Sequence, residues 1–313
     1  MSAMSSATQS TTPSAVQSGT RSTGLSLPYV YFMPLNGALS PADFEAGLAL
    51  GWLTDDEVTK VSRYRSESAR NNGLQVRLAL RAVLSLHSEL KPNEWRFSYG
   101  DKGKPTLSED LLAQTGLHFN LSHSGEWLMI GIVMGGHALK ADHYADADLC
   151  FGVDIERERS STDIVPILNH YFTQAETDTL LQLPSSLQRQ RFFDLWAVKE
   201  SYIKARGLGL ALSLKSFSVD FGLITQGNVN VQLADKSHQT IELQQDVKLH
   251  FTEDEDIATT MAWQTVLGRL DQQYRFAITF GLTKQVNEQH SLRIEPIDNS
   301  LNIYQLSLAE LLG

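Results

Sequence analysis

Two long stretches of the chain carry apolar residues at helical spacing, and each is followed by short runs that are typical of β-strands. The first stretch extends from Asp55 to about Leu90, and the second from Asp163 to Arg206 with a break near Pro184. Apolar residues three and four positions apart share one face of a helix, so both stretches predict helices that pack on a sheet. Helical stretches followed by runs of strands favour the α+β fold class.

Short apolar runs predict the strands that accompany these helices. The ordered part of the chain is expected to begin near Leu27 with the run YVYFMPL, and Ser40 followed by Pro41 is typical of a helix N-terminus. The other predicted strands are WRFSYG (95–100), HFNLSHS (118–124), WLMIGIVM (127–134), CFGVDIE (150–156) and, later in the chain, FSVDF, VNVQL, VKLHF and YRFAITF.

These elements divide the chain into two halves, over residues 27–150 and 151–283, each with helices followed by short strands. Residues 1–26 are rich in Ser, Thr and Gln and lack the apolar core of a secretory signal, so we expect a disordered tail there. Residues 284–313 end in the apolar segment IYQLSLAELL, which we expect to dock on the body of the protein.

Charge and cysteine content exclude several classes of protein. The net charge of -10 argues against a general nucleic-acid binder, because phosphate affinity needs clustered Lys and Arg. The single cysteine, Cys150, excludes an intrachain disulfide, and its apolar neighbours predict a buried strand residue. No apolar run reaches the roughly 20 residues of a membrane span. We therefore expect a cytoplasmic protein with no nucleic-acid and no membrane partner.

Three carboxylates and a lysine are candidates for the chemical site. Asp154 and Glu156 are two residues apart on a predicted strand, so their side chains share a face. Glu200 and Lys204 are four apart on a predicted helix and also share a face. Each pair alone fits a solvated strand end or a surface salt bridge equally well. Together they suit magnesium and a phosphoryl group whose charge the lysine would neutralise.

Two loops supply groups that are suited to phosphate contact. The turn Gly103-Lys104-Pro105 places a cation on a rigid turn, and NLSHSG (120–125) clusters small hydrogen-bonding groups. Ser122 and His123 also suggest a serine hydrolase, but neighbours in sequence rarely form a nucleophile–base pair, and no G-x-S-x-G motif is present. We therefore favour phosphate contact for both loops.

The ordered set GKP, NLSHSGEW, FGVDIE and LWAVKESYIKARGLGL resembles the surfactin-synthetase (Sfp) type of 4′-phosphopantetheinyl transferase. In that family the signature is approximately G-x-D-I-E, followed after a helical segment by W-x-x-K-E-S/A-x-x-K. The similarity covers about residues 27–313. The resemblance implies a pseudo-twofold monomer of two similar α+β halves, with coenzyme A bound between them.

The resemblance also implies roles for individual residues. Asp154, Glu156 and Glu200 would bind magnesium, with manganese as the alternative, together with the pyrophosphate of coenzyme A, which Lys204 would approach. Glu200 is the candidate general base, and Asp154 is the alternative for that role. Further contacts to coenzyme A are expected from Lys104, Pro105, Ser122, His123 and Lys199 and, at the 3′-phosphate, from Arg63 or Arg70.

One segment departs from the family pattern. The loop HALKADHYADADL, within residues 135–149, is longer than expected for the family. Its histidines and aspartates could suggest a second metal, but a solvated loop is the preferred interpretation.

The implied reaction moves the phosphopantetheine arm of coenzyme A to a serine of an apo acyl or peptidyl carrier protein and releases 3′,5′-ADP. Carrier domains are usually acidic, as this chain is, so docking would need a local patch. Arg189, Arg191, Phe192 and Phe193 are candidates for that patch, although the phenylalanines fit a core equally well.

Two other functions stay open at this point. A metal-dependent nuclease is disfavoured by the net charge of -10 and by the lack of a long basic stripe. A non-catalytic module that binds coenzyme A or carrier domains is disfavoured because simple binding does not need three carboxylates and Lys204.

Overall fold

The computed structural model describes residues 28–35, 39–135, 149–222, 225–252, 261–283 and 301–312. The predicted tail over residues 1–26, most of the loop over 135–149 and the first part of the segment 284–313 lie outside these described residues.

The helices begin and end where the sequence supplies capping groups. Ser40 Oγ accepts from the Asp43 amide at 3.1 Å and starts the first helix, as predicted. The long helical stretch after Asp55 breaks at Ser66, which caps a new helix. The described helices are α1 Pro41–Ala49, α2 Asp55–Ser62, α3 Glu67–Ser85, α4 Glu109–Thr115, α5 Ile164–Tyr171, α6 Gln174–Leu181, α7 Ser185–Arg206 and α8 Leu308–Leu312.

The predicted strands are present, together with three that were not predicted, at residues 105–107, 261–269 and 302–305. The strand over 261–269 was missed because polar Gln264 and Thr265 interrupt its apolar pattern. The strands are β1 Tyr29–Pro34, β2 Phe97–Tyr99, β3 Pro105–Leu107, β4 Leu117–Ser124, β5 Trp127–Met134, β6 Leu149–Arg157, β7 Phe217–Asp220, β8 Thr225–Leu233, β9 His238–Phe251, β10 Met261–Arg269, β11 Tyr274–Thr283 and β12 Asn302–Gln305.

One large sheet contains strands from both halves, in the order β4-β5-β1-β12-β8-β9-β10-β11-β6. The last strand, β12, lies between β1 and β8 and runs parallel to both, with Ile303 opposite Val30 and Val231. It therefore joins the strands of the first half to those of the second. β2 and β3 form a separate hairpin. The mixture of helices and largely antiparallel strands confirms the predicted α+β class.

The sheet encloses a core to which both halves contribute. Val30 and Phe32 from β1 pack in one cluster with Val153 from β6 and Phe276 from β11. The rings of Phe32 and Phe276 meet edge to face, with centroids 4.9 Å apart. Helix α7 packs on the outer side of β6 and β11, and α3 packs beside β1 and β5. Because the core is shared, the two ends of the sheet, β4 and β6, are brought side by side.

Within the described ranges, no helix combines the length and the apolar character that crossing a membrane requires.

The position of β12 predicts that its inward side chain stabilises the whole chain. Ile303 is 2% exposed, so Ile303→Ala is expected to lower the free energy of unfolding by about 2–5 kcal/mol. Urea denaturation would measure the change. Asn302→Ala, on the neighbouring half-buried position of the same strand, is the control; equal losses in the two variants would contradict this role for β12.

Candidate active site

The candidate site lies where the two ends of the large sheet meet. Side chains of β4 accept hydrogen bonds from backbone amides of β6: Asn120 Oδ1 from Val153 at 2.9 Å, and Ser124 Oγ from Arg157 at 3.1 Å. The amides on the outer edge of β6 would otherwise lack protein acceptors. The two halves are therefore fastened to each other at this seam by side chains rather than by a strand ladder.

Two serines on β4 hold the two carboxylates on β6. Ser122 Oγ donates to Asp154 Oδ1 at 2.7 Å, and Ser124 Oγ donates to Glu156 Oε2 at 3.2 Å. Both pairs are two residues apart in their strands, so each pair shares a face. Asp154 and Glu156 therefore share one face of β6, as their spacing predicted. This face lies opposite β4.

A glycine lets the helix that carries Glu200 and Lys204 approach this strand. A Cβ atom on Gly152 would lie 2.1 Å from the carbonyl oxygen of Ser201 and 2.3 Å from the amide nitrogen of Ala205. Any side chain at this position would collide with the backbone of α7. The glycine in FGVDIE therefore sets the distance between α7 and β6.

Lys204 completes a compact hydrogen-bonded group. Its Nζ donates to Asp154 Oδ1 at 2.5 Å and to Ser122 Oγ at 2.7 Å. Asp154 is 2% exposed, and its second oxygen, Oδ2, is buried without a hydrogen-bond partner. An unsatisfied buried oxygen of a charged group is costly, so this oxygen favours an additional cation or donor.

The carboxylates destabilise one another's charged forms. Burial raises the pKa of Asp154, an effect that Lys204 opposes. Burial and then the charge of Asp154 raise the pKa of Glu156 to about 7. Burial and Asp154 also raise the pKa of Glu200, which makes no hydrogen bond with the described protein. One lysine does not neutralise three carboxylates, and the group therefore favours a further positive charge.

The donor set fits a hard divalent cation, although a finished coordination sphere is not present. Within the described ranges, no three His, Cys, Asp or Glu side chains are already arranged to hold a metal ion. Asp154 nevertheless offers an unpartnered oxygen, and Glu156 and Glu200 lie within its electrostatic influence. Oxygen ligands of this kind suit magnesium. Because the structure contains no assembled metal site in its described residues, the magnesium assignment stays a prediction.

Lys199 does not join this cluster. Its side chain is fully buried, its Nζ lies 3.0 Å from Glu176 Oε2, and it donates to the Phe217 carbonyl at 2.6 Å. Adjacent helical residues point about 100° apart, which sends Lys199 into the core while Glu200 faces the seam. We therefore correct the expected coenzyme A contact of Lys199 to a structural role.

The GKP turn reaches the seam from the β2–β3 hairpin. Lys104 Nζ donates to the carbonyls of Phe151 and Ala205, at 3.2 Å each, and so connects the first half with the end of α7. Burial lowers the pKa of Lys104 to about 8. Pro105 begins β3 and is half-buried, and His123 is exposed between the two serines of β4. The coenzyme A contacts expected of these three residues stay predictions.

Arg63 and Arg70 lie at the junction of α2 and α3. Arg63 is exposed, and Arg70 Nη1 donates to the carbonyl of Tyr64 at 2.9 Å. In the described part of the chain, neither arginine forms an ion pair with the three carboxylates. Their expected contact with the 3′-phosphate stays a prediction.

Two of the four residues expected to form the docking patch are buried. Phe192 and Phe193 are 2% and 6% exposed and belong to the core. Arg189 Nη1 donates to the carbonyls of Arg159 and Thr162 and fixes the loop after β6.

Some residues that shape the site were not identified as such from the sequence. Gly125 has a φ of +57°, and a Cβ there would lie 2.3 Å from the hydroxyl of Tyr274, which accepts from the Glu126 amide at 3.0 Å. A glycine between two predicted strands signals a tight turn. Nothing in the sequence pattern connects it with Tyr274, which is 149 positions later.

The fold and the seam define a class of protein: an enzyme in two α+β halves whose carboxylates and lysine suit phosphoryl-type chemistry. Two family models match the chain, and both describe transferases of this chemical class. A model described as 4′-phosphopantetheinyl transferase superfamily matches residues 150–262, and one described as 4′-phosphopantetheinyl transferase, N-terminal, matches residues 38–133. The two models thus match the two halves separately.

Individual relatives carry the same description. The 4′-phosphopantetheinyl transferase HetI of Nostoc sp. is 32% identical over 159 residues, which cover 51% of this chain and 61% of that protein. The transferase ffp of Bacillus subtilis is 31% identical over 60% of this chain and 75% of its own length. The Sfp transferase of Bacillus subtilis strain 168 is 29% identical over 59% of this chain and 73% of its own length.

The chain belongs to the 4′-phosphopantetheinyl transferase family. The family predicted from the four motifs is therefore confirmed, as are the two-half architecture and the class of transferase.

The close contact at Gly152 predicts that adding one methyl group there lowers the stability of the chain. Gly152→Ala is expected to destabilise the chain by about 1–3 kcal/mol or more, because α7 has to move away from β6 and Lys204 from Asp154. Urea denaturation would measure the loss. Gly100→Ala is the matched control, since a Cβ there meets only the Lys104 carbonyl oxygen at 3.9 Å. If both variants kept the wild-type stability, the proposed constraint at Gly152 would be wrong.

Proposed function

We propose that this chain transfers the phosphopantetheine arm of coenzyme A to a serine of an apo acyl or peptidyl carrier protein and releases 3′,5′-ADP. The observation that carries the proposal is the group formed by Lys204, Ser122 and Asp154 at the seam, with Glu156 and Glu200 beside it. A cytoplasmic location and a monomeric state are part of the same proposal.

Glu200 is the better candidate for the base that accepts the serine proton. Its oxygens make no hydrogen bond with the described protein, and its raised pKa makes it a stronger base than an ordinary carboxylate. Asp154 is less available, because its Oδ1 already accepts from Ser122 and Lys204. The serine oxygen would form a bond to the phosphorus that carries pantetheine, and the bond from that phosphorus to the bridging oxygen of the pyrophosphate would break, with the serine proton going to Glu200.

Lys204 would neutralise charge on the phosphoryl oxygens during this exchange. Its ammonium already lies among oxygen acceptors, and its side chain is 28% exposed, so a phosphate can approach it. Asp154, Glu156 and Glu200 would hold magnesium, with manganese as the alternative, and the ion would supply further charge neutralisation at the pyrophosphate.

Coenzyme A would lie between the halves, next to the hairpin that carries Lys104. That ammonium is bound to two neutral carbonyls, so exchanging one of them for a phosphate oxygen would give a stronger, charge-assisted hydrogen bond. Pro105 would keep the turn rigid, His123 would contact a phosphate from the exposed face of β4, and Arg63 or Arg70 would meet the 3′-phosphate.

Glu200→Gln is expected to lower the transfer rate by about 10²-fold or more and to leave the fold intact, because the amide keeps the shape but cannot accept the proton. Transfer to an apo carrier protein would be followed by intact mass, and folding by circular dichroism. Glu109→Gln, an exposed change of the same type on α4, is the control. Normal turnover by Glu200→Gln would remove Glu200 from the mechanism.

Magnesium is expected to stabilise the chain in the presence of coenzyme A, since a ligand that binds only the native state stabilises it by about 2–3 kcal/mol at roughly a hundredfold excess over Kd. The midpoint of thermal unfolding would report this independently of activity. Asp154→Asn should lose the response to magnesium, whereas Asp110→Asn, an exposed position, should retain it. A full response in Asp154→Asn would show that the metal lies elsewhere.

A further inference from the structure

A cavity lies beside the first half of α7 and shares no residue with the carboxylate seam. It has a volume of about 300 Å³ and lies between α7 and the strands β9 and β10. This is at the lower end of the range for small-molecule pockets. Its lining includes two guanidinium groups, those of Arg191 and Arg269, and apolar side chains that include Leu187, Leu243 and Leu267.

Arg191 is a charged side chain that lacks an acceptor. In the described part of the chain, its guanidinium forms no hydrogen bond and no ion pair, and Nη1 is buried without a partner. The guanidinium lies over the ring of Phe221, at 4.1 Å from the centroid, and is attracted by the charge of Asp194 without a direct hydrogen bond to it. A guanidinium has five N–H donors, and leaving them unsatisfied in a partly buried position costs free energy.

The neighbouring carboxylate is already occupied by other arginines. Asp194 accepts from Arg275 Nε at 2.9 Å and pairs with Arg269 Nη2 at 3.0 Å. Arg275 also pairs with Glu158, at 2.7 Å. Asp194 also attracts the charge of Arg191, but its direct hydrogen bonds go to Arg269 and Arg275.

The rim of the cavity contains one further carboxylate. Glu242 is exposed, and its charge is therefore screened by solvent. Burial lowers the pKa of the Arg191 guanidinium, which means that its charged form is destabilised and would gain from an anion held close to it. The cavity thus combines a guanidinium with no direct hydrogen-bond acceptor, a second guanidinium that is 33% exposed and already bound to Asp194 and Gln190, and a wall that includes leucines.

We propose that this cavity binds a small amphipathic carboxylate. The carboxylate would accept hydrogen bonds from Arg191 and Arg269, in the forked geometry that guanidinium groups favour. The aliphatic part of the ligand would pack against Leu183 and Leu187, the leucines of the lining that are accessible to solvent. Inorganic phosphate can accept hydrogen bonds from the guanidinium groups but leaves Leu183 and Leu187 uncovered, so it is expected to bind more weakly.

Isothermal titration calorimetry of the full chain with hexanoate tests this site. Hexanoate is expected to bind at a single saturable site, and hexanol and inorganic phosphate to bind at least about tenfold more weakly. Arg191→Gln should raise the Kd for hexanoate by about tenfold or more. Arg96→Gln, the same change at an exposed arginine of the first half, should leave the Kd unchanged.

Two further measurements keep the test decisive. If Arg191→Gln fails to fold, Leu187→Glu replaces it: Leu187 is 47% exposed, so the fold should tolerate a negative charge there while hexanoate binding is lost. Saturating coenzyme A should not displace hexanoate, because the two sites share no residue. Equal binding of hexanol and hexanoate, unchanged binding in the folded Arg191 or Leu187 variant, displacement by coenzyme A, or no binding of hexanoate would each overturn the proposal.

Discussion

The contact between the backbones of α7 and β6 at Gly152 is the constraint on which the rest of the site depends. The helix carries Glu200 and Lys204, and the strand carries Asp154 and Glu156, so their separation is decided by how closely the two backbones approach. Because no side chain fits at Gly152, the ammonium of Lys204 reaches Asp154 Oδ1 at 2.5 Å. A larger separation of α7 and β6 would leave Asp154 buried without its cation. The free-energy cost of such an unpaired buried charge is far larger than the stabilisation from an exposed ion pair.

Several carboxylates around one lysine give the seam its chemical character. Lys204 opposes the effect of burial on Asp154, yet the pKa of Glu156 is still raised to about 7 and that of Glu200 is raised as well. A fold selected only for stability would not keep such a group, because packing apolar residues at the seam would cost less. The uncompensated charge is instead what would bind a divalent cation and a pyrophosphate between the halves, and it agrees with the family to which the chain belongs.

The spacing of residues in the sequence predicted which side chains of the site share a face. Contacts between residues far apart in the chain, which the sequence did not predict, decide how these faces meet. The two-residue spacing of Asp154 and Glu156 and the four-residue spacing of Glu200 and Lys204 follow from strand and helix geometry, so the sequence alone indicated which side chains share a face. The coenzyme A contact predicted for Lys199 was wrong. Glu200 and Lys204 of the same motif face the seam, whereas the side chain of Lys199 points into the core and pairs with Glu176. The side-by-side position of β4 and β6, the contact of Gly125 with Tyr274 and the place of β12 between β1 and β8 depend on residues far apart in the chain. No pattern in a single sequence reveals such contacts.

We propose that this seam transfers phosphopantetheine from coenzyme A to a carrier serine with the help of a divalent cation. Intact mass spectrometry of an apo carrier protein, incubated with the chain, coenzyme A and magnesium, tests it most directly. We expect a mass gain of one phosphopantetheine that disappears when EDTA is added. No gain on acyl and peptidyl carrier proteins alike would contradict it and would favour a module that binds coenzyme A or carrier domains without catalysis.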